Sequence, residues 1–179
     1  MKGIVFTEFL DMVESKWGYG MVDDIIEASN LTSNGIYTSI GTYHHSEIVQ
    51  LLTNLSDKTK TDASVLLKAF GEYLFDTFLK TYPSFFDNEE NVFGFLKSID
   101  SHIHVEVLKL YPDATLPKFE TEERDDGSLI MTYKSERKMA ALAEGLIEKA
   151  IEYYNQPHSI DKKLIVEDGS QVEFVIKKL

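Results

Sequence analysis

Two short stretches of the sequence contain residues that could do chemistry. The first, SIDSHIHVEVLKLYPDATLPKF at positions 98–119, places His102 and His104 two residues apart in a pattern typical of a half-buried helix. On an ideal helix these two imidazoles would lie about 200° apart, so they could not bind one metal ion from the same face. Neither histidine has a partner at the spacing used by metal-binding helices. Taken alone, each is therefore better explained by packing or by solvent exposure.

The second stretch is YKSER, at positions 133–137. On a strand, Tyr133, Ser135 and Arg137 would lie on one face. All three can donate hydrogen bonds, and the guanidinium of Arg137 adds a fixed charge that matches a carboxylate. The row could thus bind a pair of carboxylates on a ligand. The alternative is that Ser135 caps the next helix, Tyr133 packs in the core and Arg137 pairs with a surface acid.

Composition limits the cofactors and partners. The 179 residues include no cysteine, which excludes disulfides, iron–sulfur clusters and covalent haem attachment. A net charge of −12 disfavours nucleic acid, because phosphates repel such a surface. The sequence shows neither a signal peptide nor an apolar run of membrane-spanning length. We therefore expect a cytoplasmic protein that binds neither nucleic acid nor membranes, folded as one domain over residues 1–179.

Apolar periodicity predicts the elements that must position these residues. Helices are expected over 4–17, 19–29, from near Ser46 (a candidate N-cap), over 62–82 and from about 90 to 111. The pattern then changes to a hairpin with the turn DDG, a helix over about 137–154 and a second hairpin around Asp168–Gly169. This order predicts an α+β fold with an N-terminal helical part and a C-terminal part of antiparallel hairpins plus a helix.

Together, the two stretches resemble the H-NOX family, the haem–nitric oxide/oxygen binding domains, in its stand-alone bacterial type. This family is related to the haem domain of soluble guanylate cyclase. The resemblance covers essentially the whole chain, from MKG through His104, YP at 111–112, LP at 116–117, Y-x-S-x-R at 133–137 and EGLIE at 144–148. It implies that haem b is held non-covalently between the helical part and the C-terminal part.

The resemblance also assigns roles to individual residues. His104, and not His102, matches the histidine that binds the haem iron. Tyr133, Ser135 and Arg137 match the motif that holds the haem propionates, and Pro117 matches a proline that bends the haem. The positions that align with the pocket for the gas are apolar: Val5, Phe9, Leu74, Phe78, Leu142 and Leu146.

The function implied by the resemblance is gas sensing rather than catalysis. Oxygen-binding relatives use a tyrosine at the position of Leu142, so we expect binding of NO and CO but no stable binding of O₂. The signal would pass to a separate protein, such as a histidine kinase or an enzyme of cyclic di-GMP metabolism. The alternatives are a haem enzyme such as a peroxidase, an oxygen-binding member of the same family, and a haem-free module that binds an apolar acid through Arg137.

Overall fold

A computed structural model of the chain describes residues 1–87 and 89–179. The N-terminal part consists of α1 (Gly3–Trp17), α2 (Tyr19–Glu27), α3 (His45–Thr59) and α4 (Ala63–Thr81), followed by a 3₁₀ turn (Pro83–Phe85). The helices predicted in this region are confirmed. Gly18 separates α1 from α2 with a φ of 85°, a conformation that favours glycine. Within the two described ranges, no helix is long and apolar enough to cross a membrane.

The start of α3 differs from the prediction. The helix begins at His45, and the Nδ1 atom of His44 accepts a hydrogen bond of 3.3 Å from the backbone N–H of Ser46. The prediction that Ser46 caps this helix is therefore wrong. The imidazole of His44, two residues earlier, supplies the acceptor that the first free N–H groups of a helix require.

The helix predicted from about 90 to 111 is interrupted. It consists of α5 (Val92–Ser98), a π-helical turn (Ile99–Ile103) and α6 (His104–Leu110). A π turn inserts one extra residue, which rotates the following helix by about 100° relative to an uninterrupted one. The side-chain directions predicted from one continuous helix therefore do not apply across this turn, and His104 becomes the first residue of α6.

The C-terminal part contains one four-stranded antiparallel sheet. Its strands are β1 (Lys118–Glu123), β2 (Leu129–Lys134), β3 (His158–Leu164) and β4 (Gln171–Lys178), in the order β1-β2-β4-β3. The two predicted hairpins are thus confirmed, and they join through β2 and β4. Between them lies α7 (Ala140–Tyr153), which begins three residues later than predicted. Residues 135–139 consequently form a connection between β2 and α7.

Two glycines bring α4 and α7 into close contact. A β-carbon added to Gly71 would lie 2.2 Å from the carbonyl oxygen of Leu142, and one added to Gly145 would lie 2.1 Å from that of Lys68. Distances this short would force backbone against backbone, so each glycine is required for the observed approach of the two helices. The contact joins the N-terminal helices to the C-terminal part.

We predict that Gly145→Ala destabilises the protein by about 1–3 kcal/mol, because the added methyl group overpacks the contact between α4 and α7. Thermal unfolding followed by circular dichroism measures the change. Gly20→Ala is the matched control, since a β-carbon there meets nothing within 4 Å and a helical alanine is favoured over glycine. Equal unfolding temperatures for the two variants would contradict the packing role of Gly145.

Candidate functional site

A large cavity lies between the helical part and the sheet. Its volume is about 270 Å³. Protein interiors rarely contain gaps larger than a water molecule, so this cavity is not a packing defect. Helices α1, α4, α6 and α7, the segment after α6 and strands β1 and β2 contribute to its wall. The lining is mostly apolar with a few polar groups, the usual character of a site for a small molecule or cofactor.

His104 is placed in this wall, whereas His102 is exposed to solvent. The side chain of His104 is only 16% exposed, and its Nδ1 atom lies 3.2 Å from Oδ1 of Asp100. Burial lowers the pKa of His104, although the carboxylate of Asp100 acts in the opposite direction. At neutral pH the imidazole is therefore uncharged. With Nδ1–H directed at Asp100, its Nε2 lone pair is free to bind a metal.

Phe119 connects His104 to the sheet. Its backbone N–H donates to Oδ1 of Asp100 at 3.3 Å, and its ring centroid lies 5.9 Å from that of His104 and 5.7 Å from that of Tyr133. Phe119 also pairs with Tyr133 in the register of β1 and β2. The two stretches singled out in the sequence thus meet through Phe119 in one wall of the cavity.

Tyr133, Ser135 and Arg137 all line the cavity. Tyr133 is 3% exposed, and its hydroxyl accepts a hydrogen bond of 3.0 Å from the N–H of Met139. Ser135 does not cap α7. Its hydroxyl instead accepts a hydrogen bond of 3.2 Å from the N–H of Arg137. Because β2 ends at Lys134, the connection to α7, rather than an extended strand, presents Ser135 and Arg137 to the cavity.

Arg137 forms no ion pair with any carboxylate in the described part of the chain. This is unusual for a half-buried cation in a protein with 30 acidic residues. Burial lowers the pKa of its guanidinium. The pKa of the half-buried His45 is lowered, first by burial and then by the nearby side chains of His44 and Arg137. Arg137 is therefore left without an ion-pair partner among the described residues in the wall of the cavity, although Glu136 acts on the nearby His45.

Most of the other predicted pocket residues also line the cavity, and they come from the segment after α6, α1, α4 and α7. They are Pro117, Val5, Leu74, Phe78, Leu142 and Leu146. Phe9 is not among the lining residues. It is fully buried in the N-terminal core, where its ring meets Phe70 edge to face at 5.2 Å. The structure thus gives no support to a direct role for Phe9 in the pocket.

Sequence reasoning missed several contacts at this site. Asp100 lies four residues before His104, a spacing at which helical side chains meet, and this was the available signal. Tyr82 and Tyr111 are distant in sequence, yet their hydroxyl oxygens lie 3.2 Å apart in the wall. The hydrogen bond to Tyr111, aided by burial, raises the pKa of Tyr82 to about 12. Nothing in the local sequence predicts this pair.

The sequence pattern of the haem–NO-binding family matches residues 2–162. The chain belongs to the H-NOX family. H-NOX domains are haem-binding gas sensors rather than enzymes, so the predicted family and its general function are confirmed. A comparison with curated proteins gave no match.

Solved H-NOX structures superpose along the whole chain. The Fe(II) unliganded H-NOX protein from K. algicida is 48% identical with a TM-score of 0.96, covering 100% of this chain and 97% of its own. The IWP-051-bound H-NOX from Shewanella woodyi in the Fe(II)CO state is 37% identical with a TM-score of 0.84, covering 100% and 95%. An H-NOX protein from S. oneidensis in the Fe(II)NO state is 24% identical with a TM-score of 0.92, covering 100% and 99%. These similarities confirm the α+β fold.

The residues of the cavity fit a haem. The apolar wall suits the face of a porphyrin, and the neutral imidazole of His104 is a side chain of the kind that could bind a haem iron. The unpaired Arg137 offers a charge to the two carboxylates that haem carries. Among the described residues, no cluster of three or more histidines and carboxylates could hold a bare metal ion. The donor set of the H-NOX cavity is thus that of a haem pocket rather than of a metal-ion site.

Proposed function

We propose that this protein holds haem b non-covalently in its cavity, with His104 as the iron ligand, and that it senses nitric oxide. The observation that carries the proposal is the buried, neutral imidazole of His104, which shares one apolar cavity with the unpaired cation of Arg137. The chemistry that haem supplies when bound is the coordination of NO or CO at ferrous iron. We also propose that the chain acts as a single domain in the cytoplasm.

Tyr133, Ser135 and Arg137 would bind the haem propionates. Arg137 can donate two parallel hydrogen bonds to a carboxylate, and its present lack of a protein partner leaves these donors free. Tyr133 already receives a hydrogen bond from Met139, so its O–H is free to donate. Pro117 lies in the same wall, where its rigid ring would press on the haem and bend it.

The apolar wall would select among gases. Bound O₂ acquires negative charge and is stabilised by a hydrogen-bond donor, whereas NO and CO depend less on such a donor. Val5, Leu74, Phe78, Leu142 and Leu146 offer none. The hydroxyls of Tyr82 and Tyr111 also line the cavity, and their mutual hydrogen bond of 3.2 Å occupies one of these two donors. We therefore infer selectivity for NO and CO over O₂.

Helix α6 would carry the signal. Because His104 is its first residue, any displacement of the imidazole moves this helix directly. Asp113, just beyond α6, accepts hydrogen bonds from Thr42 at 2.6 Å and from Lys2 at 3.1 Å, which ties the helix end to the N-terminal part. On the side of α6 away from the cavity, Val105 and Leu108 are 45% and 41% exposed. This apolar surface would contact a separate effector, such as a histidine kinase or an enzyme of cyclic di-GMP metabolism.

We predict that His104→Gly loses its haem during purification and regains it when imidazole is supplied, because imidazole can replace the missing ligand. His102→Ala should keep the absorption spectrum of the parent, because that side chain is exposed. The absorbance of haem relative to protein measures both results. Retention of haem by His104→Gly without imidazole would refute the assignment of the iron ligand.

Arg137→Ala is expected to release haem about 10–100-fold faster than the parent. The reason is the loss of charge-assisted hydrogen bonds of about 1.5–3 kcal/mol. Transfer of haem to an excess of a haem scavenger measures the rate. The control is Arg124→Ala, which removes the other arginine of the chain at an exposed position in the β1–β2 turn. If both variants release haem equally fast, Arg137 does not hold the propionates.

We predict that the ferrous protein binds NO and CO but forms no stable complex in air, because the side chains aligned with the gas pocket, Leu142 among them, offer no hydrogen-bond donor to O₂. Absorption spectra under each gas test this. Leu142→Tyr should slow the oxidation of the ferrous protein in air by donating to O₂, and Leu142→Phe, which lacks the hydroxyl, should not. A reversible oxy spectrum of the parent would contradict the proposed selectivity.

A further inference from the structure

Asp100 holds a position that the proposed function leaves unexplained. It lies in the π turn between α5 and α6, and its Oδ1 atom faces two donors. Nδ1 of His104 lies 3.2 Å away, and the backbone N–H of Phe119 lies 3.3 Å away. Within residues 1–87 and 89–179, no lysine or arginine pairs with this carboxylate. Its negative charge is therefore directed at His104 and at the backbone N–H of Phe119, near the start of β1.

We propose that Asp100 is a positioning residue that strengthens the bond from His104 to a haem iron and so opposes the release of His104 when NO binds. This inference rests on the proposed function. A carboxylate that accepts a hydrogen bond from Nδ1–H fixes the tautomer in which Nε2 carries the lone pair. It also makes that nitrogen a stronger base, and hence a stronger metal ligand.

The second hydrogen bond of Asp100, from the N–H of Phe119, links His104 to the sheet. Phe119 belongs to β1, whereas His104 begins α6. The carboxylate is thus anchored to the sheet, and its bond to His104 holds the start of α6 against β1. The ring of Phe119 packs on the same imidazole, with 5.9 Å between centroids. Movement of α6 away from the sheet must break one of the two hydrogen bonds of Asp100, that to His104 or that to Phe119, so Asp100 resists that movement.

Two substitutions of Asp100 separate the effect of its negative charge from the effect of its hydrogen-bond acceptor. Asp100→Asn keeps an oxygen that can accept from both donors but removes the charge, and charge-assisted hydrogen bonds are about twice as strong as neutral ones. Asp100→Ala removes the acceptor as well. The strength of the iron–histidine bond should fall in the order parent, Asp100→Asn, Asp100→Ala. Glu106→Gln is the matched control, because it removes a carboxylate from α6 that pairs with Lys109 rather than with His104.

Resonance Raman spectroscopy of the ferrous, haem-loaded proteins measures the iron–histidine stretching frequency directly. We expect this frequency to fall stepwise in the two Asp100 variants and to stay at the parental value in Glu106→Gln. The fraction of five-coordinate haem after addition of NO, read from absorption spectra, should rise in the same order. Haem release from Asp100→Ala should be about 10-fold faster than from the parent. A change in thermal stability alone would not move the stretching frequency.

The outcomes separate this inference from the proposed function. An iron–histidine band in the parent that is unchanged in Asp100→Asn and Asp100→Ala would overturn the role of Asp100 and leave His104 as the ligand. Absence of any such band in the parent would refute His104 as the ligand, and the inference would fall with it. If Asp100→Ala fails to fold, the comparison of Asp100→Asn with Glu106→Gln still decides the result.

Discussion

The hydrogen bond between Asp100 and His104 is the interaction on which the site depends. An imidazole buried in an apolar wall must satisfy its N–H group, since an unsatisfied buried donor costs about 1–3 kcal/mol. Asp100 satisfies it and leaves the other ring nitrogen free. The π turn that contains Asp100 also sets the rotation of α6 relative to α5. Insertions of this kind occur frequently at functional sites.

The charges of the chain impose a second constraint. A protein with a net charge of −12 repels anionic ligands at long range, so any bound carboxylate must be met by local cations. Arg137 is half-buried and has no acidic partner among the described residues, although most of the lysines around the sheet pair with carboxylates. Leaving one arginine unpaired at the cavity is costly unless a ligand supplies the opposite charge.

Much of this arrangement could be predicted from the sequence, because periodicity and turn residues report local structure. Such patterns predict the N-terminal helices and both hairpins, whereas the roles of Tyr133, Ser135 and Arg137 follow from the family resemblance. The π turn could not be predicted, since the apolar pattern around Leu96 and Val107 fits a continuous helix equally well. The pairing of Tyr82 with Tyr111 depends on a tertiary contact that no local pattern encodes. The N-cap at His44 is a local contact, but histidine is not among the residue types that usually cap a helix. Phe9 was placed in the pocket by alignment, but its ring packs against Phe70 instead.

The central claim is that one cavity places His104 on the iron and Arg137 on the propionates of the same haem. The most direct measurement is a crystal structure of the ferrous, haem-loaded protein. The account predicts Nε2 of His104 bound to iron, Nδ1 still directed at Asp100, and at least one propionate within hydrogen-bond distance of Tyr133, Ser135 and Arg137. Iron bound by any residue other than His104, or propionates that do not contact Arg137, would contradict it.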